Sequence, residues 1–463
     1  MAAQQLDSLI KFVNSQGTAG IGTLVQITRT NLVMEVYNPY SIVQLSEVLN
    51  NLILRRNDRE IYNGRAVVST LVNTGLYIVV SATLVDLWKD LSGLERNPLA
   101  IKEEASRFFV DFGKTKINPS FQLMVLNMRS LLIELSRWLE QVDLFAKDDG
   151  LIHDANVTND LIQELKGPIM PQLMDMLLRF EEEASMIPFD EVEKHKALVH
   201  RDLHPLLLRS PFMWRTYTKP LGYAGDYEMV NMILRDPDEG PTTYAKLLNN
   251  AFLTDGPAEG HRNRVLILTE TLKFLLAEAQ TQGQKKRVLN VACGPAMEVQ
   301  RLVAEDEVRG YIDFDLLDFN DETLDFLDAS LKKVIKEKDN DVDINYIHKS
   351  VHALLKEAGD GEQNAENQYD MVYCAGLFDY LSDRVCNRLM RYFWNNTKQG
   401  GTILVTNVHP SNPVKYGMEY LMEWHLIYRD EAGMEKLLPN CGEQKIYKDV
   451  SGFNIFLEIT KTP

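Results

Sequence analysis

The stretch Val288-Leu-Asn-Val-Ala-Cys-Gly-Pro-Ala296 limits what this 463-residue chain can fold into more than any other. An apolar run that breaks into small residues lets a strand bring its backbone against a nucleotide-like ligand, because no side chain stands in the way. The small residues fall at Ala292, Gly294 and Ala296, which does not match the spacing G-x-G-x-x-G. Their alternation fits D/E-x-G-x-G-x-G instead, with Asn290 at its head. A helix is expected from Met297 to Ala304, and then a strand from Tyr311 to Leu317 that ends in Asp318, 24 residues beyond Gly294. An acidic residue there can accept hydrogen bonds from both hydroxyls of a ribose.

Further strands are expected at 344–347, 369–374 and from Gly400-Gly401-Thr402 to Val408, with two late ones at 444–450 and 454–460. With these motifs in hand, the chain resembles the class I S-adenosylmethionine (SAM) methyltransferases. The resemblance implies a Rossmann-like α/β fold with a seven-stranded sheet and an antiparallel end, and SAM as cofactor. It implies that Asn290, Ala292, Cys293, Gly294 and Ala296 surround the amino-acid portion of SAM, that Asp318 holds the ribose and that Phe319 stacks on adenine. Ser350 and Val351 fall where the family approaches the adenine amino group. Cys374 and Ala375 begin the loop of the kind that lies beneath the sulfonium. On the helix before the first strand, Arg264 can clamp the cofactor carboxylate with its forked guanidinium.

A chain of this length suggests two or three domains, and the sequence divides at about 96 and 210. Through Glu95 there are 7 basic and 8 acidic residues, against 42 and 58 in the remainder, so the first part differs in kind from the rest. Short runs of β-branched and aromatic residues, at 23–28, 32–37, 41–45, 52–54, 66–72 and 76–80, alternate with turn signals such as Asn38-Pro39 and Asn63-Gly64. A small β-barrel over 1–96 follows. It resembles a PilZ-type barrel, and Arg55-Arg-Asn-Asp-Arg59 has the R-x-x-x-R form of that family's arm for cyclic-di-GMP. The second motif, D/N-x-S-x-x-G, is not met at Asn73-Thr-Gly75, so binding of that nucleotide is not expected.

Residues 97–210 change to helical periodicity. From Phe121, apolar residues recur at three- and four-residue steps through Leu123, Leu126, Met128, Leu131, Leu132, Leu135, Trp138, Leu139, Val142 and Phe145, one apolar face on a long helix. Helices are also expected over 157–185, interrupted at Gly167-Pro168 and Pro171, and over 189–208. Two readings stay open for this bundle: a connector between barrel and enzyme, or the seam of a homodimer.

The net charge of −17 argues against a sequence-independent grip on nucleic acid, which needs a basic face, so a small molecule or a protein is the expected substrate. Four scattered cysteines without a CxxC pair indicate neither a disulfide framework nor a metal site, and read as buried thiols. No apolar run is long enough for a membrane span and no signal-peptide pattern is seen, so a cytoplasmic location is expected.

For the 211–463 segment, Lys219-Pro-Leu-Gly-Tyr-Ala-Gly-Asp-Tyr227, the small-residue turn and Trp424-His425-Leu-Ile-Tyr428 resemble bacterial proteins assigned to biosynthesis of 3-hydroxypalmitic acid methyl ester. That resemblance implies O-methylation of a fatty-acid-like carboxylate, with Tyr223, Asp226 and His409 shaping the acceptor site. His425 joins His409 as a residue able to orient a substrate or take a proton, and Asp379 and Tyr380 stand at the carboxyl edge of the sheet where ligands bind. Tyr416, Tyr420, Trp424 and Tyr428 repeat every four residues, as a helical roof would. Two competing readings stay open: N- or O-methylation of another small metabolite, and a nucleotide-responsive signalling or scaffold protein with a silent methyltransferase fold.

Overall fold

The structure is a computed structural model that describes residues 9–28, 30–37, 43–56, 59–73, 77–89, 102, 106, 117–148, 155–254, 256–357, 369–438 and 441–462. At the N-terminus, β1 (Leu9–Val13), β2 (Ala19–Ile27), β3 (Asn31–Tyr37), β4 (Val48–Arg56), β5 (Arg59–Asn73) and β6 (Tyr77–Leu84) close into an antiparallel barrel of order β1-β2-β3-β6-β5-β4. Alternation drives the closure: Leu32, Met34 and Val36 on β3 and Ile78, Val80 and Ala82 on β6 point inward and are buried. Closing the sheet leaves no exposed edge. Strand β1 was not anticipated, because five residues with Lys11 in the middle carry little periodicity. Of the strand expected at 41–45, the described residues 43–45 form a turn rather than a strand, leading to Ser46 at φ 59°. Arg55 lies 3.5 Å from Glu60. Asn57, Asp58, Thr74, Gly75 and the side chains of Arg56 and Arg59 lie outside the described residues.

The long helix is α1 (Pro119–Asp148), followed by α2 (Ala155–Ser185), α3 (Val192–Asp202) and α4 (His204–Leu207). The single apolar face expected on α1 is in fact two. Met128, Leu132 and Leu139 are buried, whereas Leu123, Leu126, Leu131, Trp138 and Phe145 are exposed. Helix α2 runs through Pro168 and Pro171 without the expected interruption. Each proline removes one backbone donor, but Ile169, Leu173, Met176 and Phe180 stay packed in the core beside α1 and hold the helix together. That core runs from Phe121 to Phe453 as one cluster, so the boundary expected at 210 does not divide it.

Helices α5 (Pro211–Thr218), α6 (Tyr227–Leu234), α7 (Thr243–Leu253) and α8 (Pro257–Gln282) lead into the sheet. There β7 (Lys286–Val291), α9 (Met297–Glu305), β8 (Ile312–Asp318), α10 (Asp321–Lys338), β9 (Ile344–His348), α11 (Val351–Glu357), β10 (Tyr369–Cys374), α12 (Asp383–Asn396) and β11 (Thr397–Val408) alternate. After α13 (Lys415–Met422) and α14 (Glu431–Glu435), β12 (Glu443–Lys448) and β13 (Asn454–Thr460) complete seven strands in the order β12-β13-β11-β10-β7-β8-β9. The five strands from β9 to β11 are parallel, and β13 is antiparallel to both neighbours. This mixed sheet is consistent with a methyltransferase fold. The order in which strands are added reverses between β7 and β10, and the crevice beyond their carboxyl ends is where such sheets bind ligands. No helix among the described residues is long and apolar enough to cross a membrane.

The barrel docks beside that crevice. Ser46 Oγ donates to the His425 carbonyl (2.9 Å) and accepts from the His425 amide (2.6 Å), while the Val48 amide donates to the Gly222 carbonyl (2.7 Å). Ile427, from the segment after α13, packs its side chain on the barrel core.

Candidate active site

The turn after β7 adopts an uncommon backbone. Ala292, Gly294 and Ala296 all have positive φ (55°, 52° and 41°), a region that costs an alanine roughly 1–2 kcal/mol. The strain is kept where the chain must fold back without side-chain bulk: a Cβ on Gly294 would meet nothing within 4 Å, so open space lies over the turn. Ala296 occupies the N-cap of α9 and gives no side-chain cap, which leaves the start of that helix receptive to negative charge. Asp318, 5% exposed at the end of β8, accepts the Gly294 amide on Oδ2 and the Asn320 amide on Oδ1, both at 3.1 Å. Burial raises its carboxyl above the usual range, and the two amides with the Phe319 amide oppose this. One oxygen is therefore tied to the turn and the other to the following helix, and each keeps a lone pair.

A cavity of about 140 Å³ opens at this point. Asn290, Ala292, Cys293, Gly294, Ala296, Asp318, Phe319, Val351, Ala375, Arg264 and Tyr223 all line it. The ring of Tyr223 lies 5.0 Å from that of Phe319, on the Asp318 side of the cavity. Asn290 turns out to hold another residue: its Nδ2 donates to Glu298 Oε1 (3.0 Å) and to Tyr373 Oη (2.9 Å), and Tyr373 donates to Glu298 Oε1 (2.7 Å). Burial raises the Glu298 carboxyl. The sequence reading missed Glu298, although an acid in the first turn of the helix after a small-residue loop is a visible signal.

Arg264 on α8 is 8% exposed and, among the described residues, makes no hydrogen bond and no ion pair. Burial pushes its guanidinium below the ordinary value, with Asp379 the largest opposing influence. Its position is fixed by Gly376, at φ 103°: a Cβ there would sit 3.1 Å from Arg264 Nη1, so the loop after β10 needs glycine to pass the guanidinium. One turn before Arg264, His261 also lines the cavity. Its Nδ1 must donate to the Pro257 carbonyl at 2.7 Å, which leaves Nε2 as a lone pair, and burial followed by the charge of Arg264 pushes its pKa down to about 3. The i, i+3 spacing from Arg264 could have revealed it.

The far end of the cavity is lined by Asp379, Tyr380, Val408, Met418, Trp424, Leu426 and Phe453. Tyr380 Oη accepts from Trp424 Nε1 at 2.9 Å. The four-residue repeat of the roof does not continue as a helix: α13 ends at Glu423, at φ 49°, and the Trp424 amide turns back to the Met418 carbonyl. Tyr416 and Tyr420 pack into the helical core, while Trp424 reaches the cavity. Five barrel residues also line the cavity: Ser15, Gln16, Gln44, Leu45 and Glu47. Glu47, 2% exposed, accepts the Ser15 amide and hydroxyl on Oε1 (2.9 and 2.6 Å) and the Gln44 amide on Oε2 (2.9 Å). Burial nonetheless pushes its pKa up to about 7.

Several expected site residues have other roles. Asp226 caps α6 through the Met229 amide and pairs with Arg215 at 2.9 Å, and it does not line the cavity. His409 Nδ1 sits 2.8 Å from Ser411 Oγ, with Nε2 3.4 Å from Glu431, again off the cavity. His425 contacts Glu423 at 3.0 Å in a buried charge cluster in which Lys196 lies 2.5 Å from the same carboxylate. Burial works against that carboxylate, but Lys196, His425 and His200 outweigh it and hold Glu423 far below the carboxylate range. Ser350 accepts the Ala353 amide at the start of α11, and Cys374 is fully buried in the core beneath the loop, so neither lines the cavity. Cys293, Cys374 and Cys386 are buried free thiols, and Cys441 is half-buried.

No family model and no curated protein matches the chain. Among solved structures, a protein of Bordetella parapertussis described as exported is 16% identical over 54% of this chain and 86% of its own, with a TM-score of 0.42. Magnesium protoporphyrin IX methyltransferase from Synechocystis PCC 6803 with bound SAH is 10% identical over 46% and 92%, with a TM-score of 0.32. The pyocyanin biosynthetic protein PhzM is 12% identical over 58% and 72%, with a TM-score of 0.34.

Proposed function

We propose that the chain is a SAM-dependent methyltransferase acting on a small molecule with an apolar body. The observation that carries this reading is the buried, unpartnered guanidinium of Arg264, facing a cavity whose other end offers the Asp318 carboxylate. A buried guanidinium with no hydrogen bond and no close ion pair is costly, and a ligand carboxylate lowers that cost. SAM brings one, together with a ribose diol for Asp318 and an adenine for the space beside Phe319 and Val351. The open turn at Gly294 accommodates the approach of its amino-acid portion. When bound, SAM supplies an activated methyl group. The protein's part is to align acceptor and methyl in a space closed to water, and such alignment corresponds to effective molarities of about 10⁵ M or more.

Val408, Met418, Leu426 and Phe453 give the acceptor end an apolar wall that suits an acyl chain or a ring. A fatty-acid-like acceptor therefore remains the working choice for the body of the substrate. The exposed stripe from Leu123 to Phe145 supports a homodimer through α1. Calorimetric titration tests the core of the proposal. SAM should bind the full chain, and Asp318→Ala should weaken it by about 100-fold or more while the circular dichroism stays native, since two ribose hydrogen bonds to a charged group are lost. Unchanged affinity would reject the assignment of Asp318.

A further inference from the structure

Building on the methyltransferase reading, we infer that the methyl acceptor reacts through a hydroxyl or an amine nitrogen rather than a carboxylate, and that Asp379 accepts the proton this nucleophile gives up. Asp379 stands just beyond the loop after β10, 4% exposed and lining the acceptor end of the cavity. Its backbone and one oxygen are fixed. The carbonyl accepts the Ile427 amide at 2.7 Å, and Oδ1 accepts the Val408 amide at 2.7 Å. Among the described residues Oδ2 has no hydrogen-bond partner, and Asp379 forms no ion pair. A positioned carboxylate with one oxygen free is what proton transfer requires.

The surroundings point the same way. The cavity lining presents the free oxygen of Asp379, the Nε2 lone pair of His261 and the Glu47 carboxylate, all of which accept hydrogen bonds. The Tyr380 hydroxyl, already receiving Trp424 Nε1, is the neighbouring donor. Arg264 is matched to the carboxylate of the methyl donor. A carboxylate acceptor would enter as a further anion beside Asp379, while Arg264 is matched to the methyl donor and Lys349, which also lines the cavity, follows β9 where its amide donates to the Asp318 carbonyl at 2.9 Å. It would also have no use for a base, because it arrives ionised. A hydroxyl or amine brings the donor that these groups lack.

In the step itself, a lone pair on the acceptor's oxygen or nitrogen forms the new bond to the methyl carbon. The carbon–sulfur bond breaks and its electron pair stays on sulfur, while the acceptor's proton passes to Asp379 Oδ2 and later to solvent.

The test uses purified full-length protein, SAM labelled in the methyl group and a small-molecule extract of cells that express the protein. Label in the product is expected to survive mild alkali, as methyl ethers and methylamines do. Release of the label as volatile methanol would mark a methyl ester and overturn the inference. Calorimetry with SAM alone separates the two levels of the argument: no binding, or binding with no label transferred to anything in the extract, removes the methyltransferase reading and this inference with it. Asp379→Asn should cut the rate by about 100-fold or more while leaving SAM affinity within about threefold of wild type. An Asp379→Asn protein that methylates at the wild-type rate would also overturn the assignment.

The rate should fall on the acid side, as Asp379 gains a proton. Burial pushes its pKa up to about 6, against Arg264, the Val408 amide and Arg429. The other groups that face it are Tyr380, Tyr428, Cys374 and Cys386, all of which burial pushes upward and out of this range. Glu47, in the cavity wall, titrates near 7. In Asp379→Glu the acid limb should move, whereas a limb unchanged in that variant would assign it to Glu47 and remove Asp379 from the step.

Discussion

Residues 290–298 and 317–319 bring one strand–turn–helix–strand unit to the cavity, while the rest of its lining, Asp379 included, is assembled from segments that begin at Ser15 and end at Phe453. The first is set by local backbone: three small residues at positive φ and a carboxylate held by the turn's own amide. The second exists only because the barrel, α8, the loop after β10 and the segment after α13 dock together. A ligand common to many enzymes can be held by a local motif. On the proposed reading, an acceptor particular to this one would be met by surfaces that only tertiary packing brings into contact.

Among variants that bear on this comparison, the one with the largest expected effect tests whether the two halves are truly separate. Arg264→Gln should weaken SAM by roughly 10–100-fold, since a charge-assisted contact is worth about 1.5–3 kcal/mol, and should leave the fold intact because no protein partner is lost. If SAM affinity instead holds while the acceptor's KM rises, the guanidinium belongs to the acceptor half and the division is drawn in the wrong place. A smaller effect probes the seam. Ile427→Ala removes a partly buried side chain from the barrel core, and should lower stability by about 1–2 kcal/mol in thermal unfolding, below the full cost of a buried large-to-small change. Because the Ile427 amide holds the Asp379 carbonyl, kcat should fall severalfold while the SAM Kd stays at its wild-type value. Equal losses in both would mean that the seam supports the whole cavity. The smallest effect is a control outside both halves: Trp138→Glu, on the exposed stripe of α1, should change neither SAM affinity nor kcat, and should lower the mass seen by light scattering if that stripe joins two copies.

This asymmetry decided what could be read from the chain. The alternation at 292, 294 and 296 and the carboxylate at 318 lie within one continuous unit, and the structure places them together around the cavity. The seven strands of the sheet were legible as well, five of them as buried apolar runs and β9 and β12 as short half-exposed ones, with turn signals between them. His409 and His425 were reasonable expectations from their position after strands, but burial and local pairing with Ser411, Glu431 and Glu423 occupy them, and His261 supplies the ring that faces the cavity. Nothing near Ser15 or Glu47 in the sequence signals a role in a site some 270 residues away, since docking geometry leaves no local periodicity. The apolar repeat of α1 was visible, but periodicity alone does not say that Met128 faces inward while Leu131 faces solvent. The stripe from Tyr416 to Tyr428 misled because a four-residue spacing was extended past Glu423, where a buried ion pair with Lys196 fixes the left-handed turn that ends the helix.

Ile427 reaches into the barrel with its side chain and holds the backbone of Asp379 with its amide. If Asp379 is the proton acceptor proposed here, whatever loosens the barrel, whether heat, a protease or a tight-binding antibody fragment, also loosens the grip on it, while the proposed donor site stays whole. A damaged copy of this protein would go on sequestering SAM without spending it, and a population of such copies would act on the cell as a sink rather than as a weaker catalyst.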